Sequence, residues 1–552
     1  MKILSADEMQ ACDRVTTERF GIASIDLMRN ASRSVAEFVR SYFPRARRIT
    51  VLCGRGNNGG DGLMTARFLI DAGLEVNVLL LGDPETMKGD AATAWKELSV
   101  HSSSAVHAIS SPDQFANYDA ALQADVILDA IVGTGFKPPL RDLPLAALAW
   151  LNAAKTSAAI VSVDLPSGWD ADATASAPAG PVFPSDAIVT FTAPKPAHLF
   201  GQLTRRITDP IVVAPIGSPE EAVVSSLNLH WAGSAKAITE PDRPFDSNKG
   251  MYGHVLVVGG SVGKSGAPGM AALAALRSGA GLVTAAVAPS VLPLVAAVAP
   301  ELMTQALVIT EAGELSTENL KPDRLKSLLH RISVLAIGPG LGTTPEAVDF
   351  ALGLLEASVD EKRLPAVADA DALNAIALHP ERLDSLSEGR TLVLTPHPGE
   401  MARLTGLSIQ QVQADRIGIA RDFATKHQLI LVLKGWRTLI AHPDGSVAVN
   451  STGNPAMAKG GSGDLLTGMV AAMLAQHPSD PQLAVEAAVY LHGLAADITV
   501  RQSGIGGDQH TLLATDSLVN LSRAFRFHAQ GHSGYCWLQG QPRKRYPERV
   551  SK

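Results

Sequence analysis

A chain of 552 residues exceeds what one hydrophobic core can organise, and at ~150 residues per domain it implies two large domains or several small ones. A net charge of -7 with no sustained basic stripe excludes nucleic acid as a partner, and 46% hydrophobic with 18% charged residues is the composition of a globular chain. Three cysteines, Cys12, Cys53 and Cys536, lie far apart without C-x-x-C spacing, so neither a disulfide framework nor a zinc site is expected and a reducing cytoplasm fits. The N-terminus carries Lys2, Asp7 and Glu8 with no apolar run behind them, and the apolar stretch 281–309 is broken by Pro289, Pro293 and Pro300. Neither a signal peptide nor a membrane span is expected.

In chain order, residues 1–48 read as helices: Met9 and Val15, then Leu27, Met28, Val35, Phe38 and Val39, recur near a 3.6-residue period. A strand–loop–helix unit follows, with an apolar run at 49–53, the loop G-R-G-N-N-G-G-D-G at 54–62, a helical pattern at 63–72 and a second strand at 75–81. Gly54, Gly56 and Gly59 satisfy G-x-G-x-x-G, the turn that lets a pyrophosphate approach a helix N-terminus. That pattern is weak alone. Asn57, Asn58 and Asp61 add more hydrogen-bonding capacity than a tight turn requires, although Asn is also a tolerated turn former.

Two further strand ends carry polar groups: 124–130 with Asp125 and Asp129, followed by Gly133, Thr134 and Gly135, and 159–163, followed by Asp164, Leu165, Pro166, Ser167 and Gly168. Ligands of open parallel sheets lie beyond the carboxyl ends of the strands, so Asn58, Asp129, Asp164 and Ser167 should face one crevice. Their oxygens could hold a hard cation, or one carboxylate could move a proton.

With the T-F-T-A-P-K-P run at 190–196, these segments resemble the N-terminal NAD(P)HX epimerase domain of the bifunctional NAD(P)H-hydrate repair enzymes. The resemblance implies a Rossmann-like three-layer α/β fold. It also implies substrate contacts at Asn57, Asn58, Gly59, Gly60 and Asp61, at Gly133, Thr134, Gly135, Phe136, Lys137, Pro138 and Pro139, and at Asp164. A potassium ion is implied near Asn58, Asp129 and Ser167. Phe136 and the Pro138–Pro139 pair are bulkier than the residues often found in that loop.

This first domain is expected to span residues 1–220. Residues 221–245, with scattered prolines, read as a linker or domain edge, and residues 246–525 as a second doubly wound α/β domain. Its first strand, 254–258, runs into G-G-S-V-G-K-S, which is not a Walker A motif because the required first glycine falls on Val258. Strand-like runs at 334–337, 366–368, 391–394 and 429–433 each end in a polar or glycine-rich turn: G-P-G-L-G, D-A-D-A-L-N, T-P-H-P-G-E and K-G-W-R-T. His397, between two prolines, is a rigidly presented imidazole.

The densest signal is N-P-A-M-A-K-G-G-S-G-D at 454–464, running into an apolar helical segment. Gly460, Gly461 and Gly463 allow φ > 0 and expose backbone N–H groups at the positive end of a helix dipole, which makes an anion cradle. Asp464 stands where the loop becomes helix, where a base would deprotonate a hydroxyl attacking phosphorus. An isolated G-x-G-D is also a plain pairing of C-cap glycine and N-cap aspartate. The surrounding motifs favour the functional reading.

In this order the motifs resemble the ribokinase-like NAD(P)HX dehydratase domain of the same family, so that the likeness covers residues 5–525. It implies that Lys434, Gly435, Trp436, Arg437, Thr438 and Gly463 bind adenine nucleotide, and that Ala267, Gly340, Gly342, His397 and Asp464 contact the hydrated cofactor. Ala456, Lys459 and Arg437 depart from the family pattern; the two basic residues could meet phosphate or be surface variation. The implied activity is repair of hydrated NADH and NADPH: Asp164 moves the proton in epimerisation of the R and S hydrates, and Asp464 acts as base in a dehydration that consumes ADP with Mg²⁺. A homo-oligomer is expected, with no nucleic acid or membrane partner. Two other readings are an ATP-dependent small-molecule kinase fused to a ligand-binding module, and a nucleotide-sensing scaffold. Residues 526–552 lack a periodic apolar pattern and are expected to be a disordered tail.

Overall fold

The computed structural model describes residues 1–154, 156–502, 507–529 and 534–542. The chain divides into two compact units, Met1–Leu227 with His528–Lys552, and Asn228–Phe527.

The first unit is built on an eight-stranded sheet. Its strands are β1 (Arg48–Cys53), β2 (Glu75–Leu81), β3 (Val106–Ile109), β4 (Val126–Ala130), β5 (Ala159–Val163), β6 (Ala187–Phe191), β7 (Ile211–Ala214) and, from the other end of the chain, β18 (Cys536–Gln539). The order is β18-β7-β6-β5-β4-β1-β2-β3. All neighbours are parallel except β18, which runs antiparallel to β7. Strand order reverses between β1 and β4, the switch point where doubly wound sheets bind ligands.

Near-continuous apolar strands such as β4 and β6 are buried along their whole length, as a sheet covered on both faces requires. Leu52 of β1 packs with Ile127, Ile160 and the helix residues Ala147, Leu148 and Leu151. On the opposite face, Val51 approaches Gly62 of the helix Asn57–Asp71, as the two-residue period of a strand dictates. That helix starts at Asn57, so N-N-G-G-D-G is its first turns and not loop. Glycine is required at Gly59, because a Cβ there would lie 1.8 Å from the Gly54 carbonyl oxygen.

The second unit carries a ten-stranded sheet, β11-β10-β9-β12-β13-β14-β15-β16-β17-β8. In chain order the strands are β8 (Leu229–Trp231), β9 (His254–Val258), β10 (Leu282–Val287), β11 (Met303–Ala306), β12 (Val334–Ile337), β13 (Ala366–Ala368), β14 (Leu392–Leu394), β15 (Ile430–Leu433), β16 (Leu439–Ala441) and β17 (Val447–Val449). Strands β9 to β15 are parallel, β16 is antiparallel to both its neighbours, and β8 is parallel to β17. The helix Ser462–Gln476 packs against the helix Gly266–Arg277 and against β9, β12 and β13. The contact is tight enough that a Cβ on Gly468 would lie 1.9 Å from the Ala271 carbonyl oxygen. The helix Pro481–Val500 is long and apolar enough to cross a membrane, but 83% of its apolar window is buried inside the unit. It is a core helix.

One expectation is refined and one is corrected. The linker or domain edge expected at 221–245 contains the boundary between the two units, at Leu227 and Asn228, and directly after it β8, whose Leu229 and Trp231 are buried and whose backbone extends the second sheet beyond β17. The tail proposed as disordered at 526–552 contains β18: Tyr535, Cys536, Trp537 and Leu538 are buried, and the Tyr535 hydroxyl donates to the Ser34 carbonyl at 2.6 Å. The Phe38 ring meets those of Tyr535 and Trp537 at 6.0 and 6.4 Å. An isolated aromatic strand in a polar stretch has no periodic signal, and its pairing partner β7 lies more than 300 residues away in sequence. Residues 530–533 and 543–552 of that proposed tail lie outside the described residues.

Candidate active sites

In the first unit, the carboxyl ends of β1, β4 and β5 open onto a cleft of about 1450 Å³. Asn57, Asn58, Asp61, the loop Gly133–Pro139 and Asp164 all line it, as the sequence implies. Asp13, Arg55 and Lys195 line it too.

Asp164 follows β5 with φ 67°, a left-handed conformation that turns its carboxylate into the cleft floor. Its Oδ1 accepts from Lys195 Nζ and Thr190 Oγ1, each at 2.8 Å. Its Oδ2 accepts from Thr134 N at 3.0 Å and from the Thr134 hydroxyl. Burial alone would raise the carboxyl pKa, but the Lys195 ammonium and these hydrogen bonds hold it well below the usual range, so Asp164 is an anion.

His198 Nδ1 accepts the Lys195 backbone N–H at 3.0 Å, which leaves Nε2–H to donate to the Asp164 carbonyl at 2.8 Å. Burial and the neighbouring ammonium bring the imidazole pKa down to about 4, so it is neutral. Asp13 differs from Asp164. Its Oδ1 is buried with no hydrogen-bond partner, and burial raises its pKa to about 6 against the opposing pull of Lys195. Asp61 is pushed well above the usual value by burial and by Asp164.

Sequence reasoning missed Lys195, Thr190, His198 and Asp13 as site residues. The T-F-T-A-P-K-P run contained two of them, but nothing in its pattern indicates that its lysine folds back onto Asp164. Gly59 and Gly60 do not line the cleft: Gly59 lies on the Gly54 carbonyl, and Gly60 packs against Met28 and Ala91. Phe136 packs on the core cluster, Pro138–Pro139 is a cis peptide, and Lys137 Nζ pairs with Asp170 and Asp172 at 2.9 and 3.1 Å.

The three residues implied for potassium are partly brought together. Asp129, fully buried, accepts from Ser167 N at 2.7 Å and Ser167 Oγ at 2.5 Å. Asn58 lies against Gly133, and its buried Nδ2 has no partner. Burial raises Asp129 to about 6, with the Ser167 hydrogen bonds opposing. An uncompensated carboxylate among hydroxyl and amide oxygens suits a hard monovalent cation.

In the second unit, Gly461 with φ 97° opens the helix Ser462–Gln476, placing Gly463 and Asp464 in its first turn. Gly463 lies beside Lys434: a Cβ there would stand in ordinary contact with its Nζ, at 3.4 Å. Lys434, at the end of β15, donates to Asp369 Oδ1 at 2.9 Å, while Thr467 Oγ1 donates to Asp369 Oδ2 at 2.8 Å. Burial, followed by the nearby Asp369 carboxylate, raises Asp464 to about 6, with Lys434 opposing. Asp371 accepts from Gly342 N at 2.8 Å and Lys264 Nζ at 3.2 Å. Gly340 sits where a Cβ would lie 3.5 Å from that of Ala267, joining those two expected contacts. Asp369 and Asp371 came from the D-A-D-A-L-N turn, which the sequence flagged without assigning either a role.

His397 has a second task. Its Nδ1 accepts from Gly399 N at 3.0 Å and caps the helix Pro398–Thr405, leaving the Nε2 edge half-exposed beside Glu400 at 3.5 Å. Arg437 departs from the nucleotide-binding expectation: its guanidinium is buried, donates to the Ser451 carbonyl and lies 4.4 Å above the Trp436 ring. Lys459 donates to the carbonyls of His510 and Leu512, both at 2.7 Å. Thr438 Oγ1 donates to the Gly435 carbonyl at 3.3 Å, closing the turn around Trp436.

Comparison with known proteins matches both units to families. Residues 24–197 match the family model described as the YjeF-related protein N-terminus, and residues 255–517 match the one described as NAD(P)H-hydrate dehydratase. The bifunctional NAD(P)H-hydrate repair enzyme of Moorella thermoacetica is 42% identical over 95% of this chain and 97% of its own length. That of Escherichia coli K12 is 34% identical over 94% and 93%. A crystal structure of the ADP/ATP-dependent NAD(P)H-hydrate dehydratase of Bacillus subtilis, co-crystallised with ATP and Mg²⁺, is 34% identical, covering 53% of this chain and 96% of that one with a TM-score of 0.43. With both domains matched in order and relatives aligned along nearly the whole chain, this protein belongs to the family of bifunctional NAD(P)H-hydrate repair enzymes.

Proposed function

We propose that the first unit interconverts the R and S hydrates of NADH and NADPH and that the second dehydrates the S form at the expense of ADP. The observation that carries the proposal is the convergence of Asp464, Lys434 and Asp369 at a glycine-opened helix N-terminus, an arrangement for phosphoryl transfer to a hydroxyl. Hydroxide is a poor leaving group and phosphate a good one. Asp464 takes the proton of the hydrate's hydroxyl as its oxygen attacks the β-phosphorus of ADP, and AMP departs. Phosphate then leaves the ring carbon, and a proton leaves the adjacent carbon. Backbone N–H groups of the Gly461–Gly463 turn and Lys434 offset charge on the transferred group. Asp369 fixes Lys434 by accepting its hydrogen bond.

In the first unit Asp164 is the carboxylate we assign to proton movement, poised by Lys195 and Thr134. All its hydrogen-bonding positions are used, so a substrate hydroxyl reaches it by replacing Thr134 Oγ1. One observation favours Asp13 as a second candidate: its Oδ1 is free, and its raised pKa suits reversible protonation near neutrality. A cleft larger than the ~300–1,000 Å³ typical of drug-sized ligands suits an extended dinucleotide.

Potassium would be held by Asn58, Asp129 and Ser167, supplying the positive charge that Asp129 lacks. Mg²⁺ would be held among Asp369, Asp371 and Asp464, where crowded carboxylates favour a divalent cation and nucleotide phosphates need one. Three buried, unbridged cysteines support the cytoplasm as the compartment.

The test is stoichiometry. Incubated with S-NADHX, ADP and Mg²⁺, the protein should yield NADH, AMP and inorganic phosphate in equal amounts by chromatography. NADH formed without AMP would overturn the phosphoryl-transfer mechanism.

A further inference from the structure

Away from the Asp464 site, the second unit gathers three metal-ligating side chains from distant parts of the chain. His230 lies in β8, His442 follows β16, and Glu486 is on the helix Pro481–Val500. Glu486 Oε1 is 2.8 Å from His230 Nε2 and 2.8 Å from His442 Nε2. One ligating atom from each residue falls within a group no wider than 4.8 Å. The two imidazoles are nearly parallel, with centroids 6.1 Å apart.

We propose that His230, His442 and Glu486 form a zinc site that fastens the edge strand β8 to the β16–β17 hairpin and the core helix. A hydrogen-bonded clamp of the same residues leaves two defects. The one a cation can relieve is Glu486 Oε2, buried with no hydrogen-bond partner among the described residues on a side chain 3% exposed; His442 Nδ1 is unpartnered with or without the ion. A cation shared by the carboxylate offers Oε2 a partner, and imidazole and carboxylate suit zinc by donor type.

Charge points the same way. The Glu486 carboxyl group is buried inside the unit. Among the described residues its ion-pair partners are the two imidazoles and no lysine or arginine. A divalent cation supplies what is missing.

The geometry needs only a small adjustment. Ligand atoms around tetrahedral zinc, at bond lengths of ~2.0–2.1 Å, stand ~3.3 Å apart, so the imidazole nitrogens retreat from Oε1 by about half an ångström and, lying within 4.8 Å of each other, settle to the same spacing. His230 is 27% exposed, so the ion can enter from solvent and a water can complete the tetrahedron.

The test uses the full-length protein, stripped with a chelator and returned to buffer saturated with Mg²⁺ so that the hard oxygen sites are filled. Zinc is titrated against a chromophoric chelator, and Co²⁺ is added as an optical probe. One tight zinc per chain is expected, with the intense visible absorption of tetrahedral Co²⁺. His230→Ala, at the partly exposed ligand, should weaken zinc at least about tenfold and abolish that absorption while near-ultraviolet circular dichroism stays unchanged. Glu486→Gln should do the same if it folds, and Asp464→Asn should leave zinc binding intact. Absence of stoichiometric zinc binding, or binding and spectrum unaltered by His230→Ala, would overturn the proposal in favour of a metal-free clamp.

Discussion

Replacing Asp464 with asparagine is expected to lower dehydratase turnover by about 10²–10⁴-fold while leaving nucleotide affinity within a few-fold of the parent. The substitution keeps the shape of the first helical turn, and with it the N–H groups and Lys434 assigned above to the transferred phosphate. It removes only the proton acceptor. Steady-state recovery of reduced cofactor, set beside nucleotide binding by calorimetry, separates the two effects. In the parent enzyme the rate should fall as pH drops through about 6, because burial and Asp369 raise the Asp464 pKa and the base is lost on protonation. The stability sign is opposite. A carboxyl whose pKa is raised by folding costs stability once ionised, so at neutral pH Asp464→Asn should keep or slightly raise the melting temperature. Comparable loss of affinity and turnover would mean that Asp464 binds nucleotide and does not act as base.

Lys195→Met should abolish epimerisation and destabilise the first unit by about 3–5 kcal/mol, because it strands the buried Asp164 carboxylate without its counter-charge. Dehydration of pure S hydrate, carried by the second unit, should persist. The parent pair stabilises the fold above the ordinary carboxyl pKa, since Asp164 is depressed in the native state, and that contribution is lost as pH falls. In Lys195→Met the dependence reverses, with stability recovering on acidification as Asp164 takes up a proton. The double substitution Asp164→Asn with Lys195→Met should regain much of the lost stability and none of the activity. Thermal melts of these three proteins and of Asp164→Asn alone across pH give the coupling directly.

Several core strands were legible because parallel strands buried on both faces are continuous apolar runs with a functional turn at one end. The predicted 75–81, 159–163, 254–258, 334–337 and 366–368 are the observed β2, β5, β9, β12 and β13. What failed was short or distant. β8, β16 and β17 have three residues each, and β18 completes the first sheet from the far end of the chain.

The sites divide in the same way. Asp164 and Asp464 were visible because each sits in a turn whose neighbours have little structural reason to be there. Lys195, Thr190 and His198 were not singled out, because a buried counter-ion is defined by folding back in space and not by spacing. Arg437 shows the converse: a basic residue in a nucleotide-binding motif can be spent on a carbonyl in the core. The histidine–glutamate cluster is the extreme case, with ligands at 230, 442 and 486 and no local motif.

The central claim, that one chain carries both activities, is tested most directly by following the reduced-nicotinamide absorbance band in an equilibrated mixture of R- and S-NADHX. The assay contains the protein, K⁺ and Mg²⁺, with ADP or ATP supplied separately. The account predicts complete conversion of both epimers to NADH with ADP, faster than spontaneous epimerisation allows. Recovery that halts at the S fraction would contradict epimerisation by the first unit, and no recovery with either nucleotide from folded protein would contradict the repair function itself.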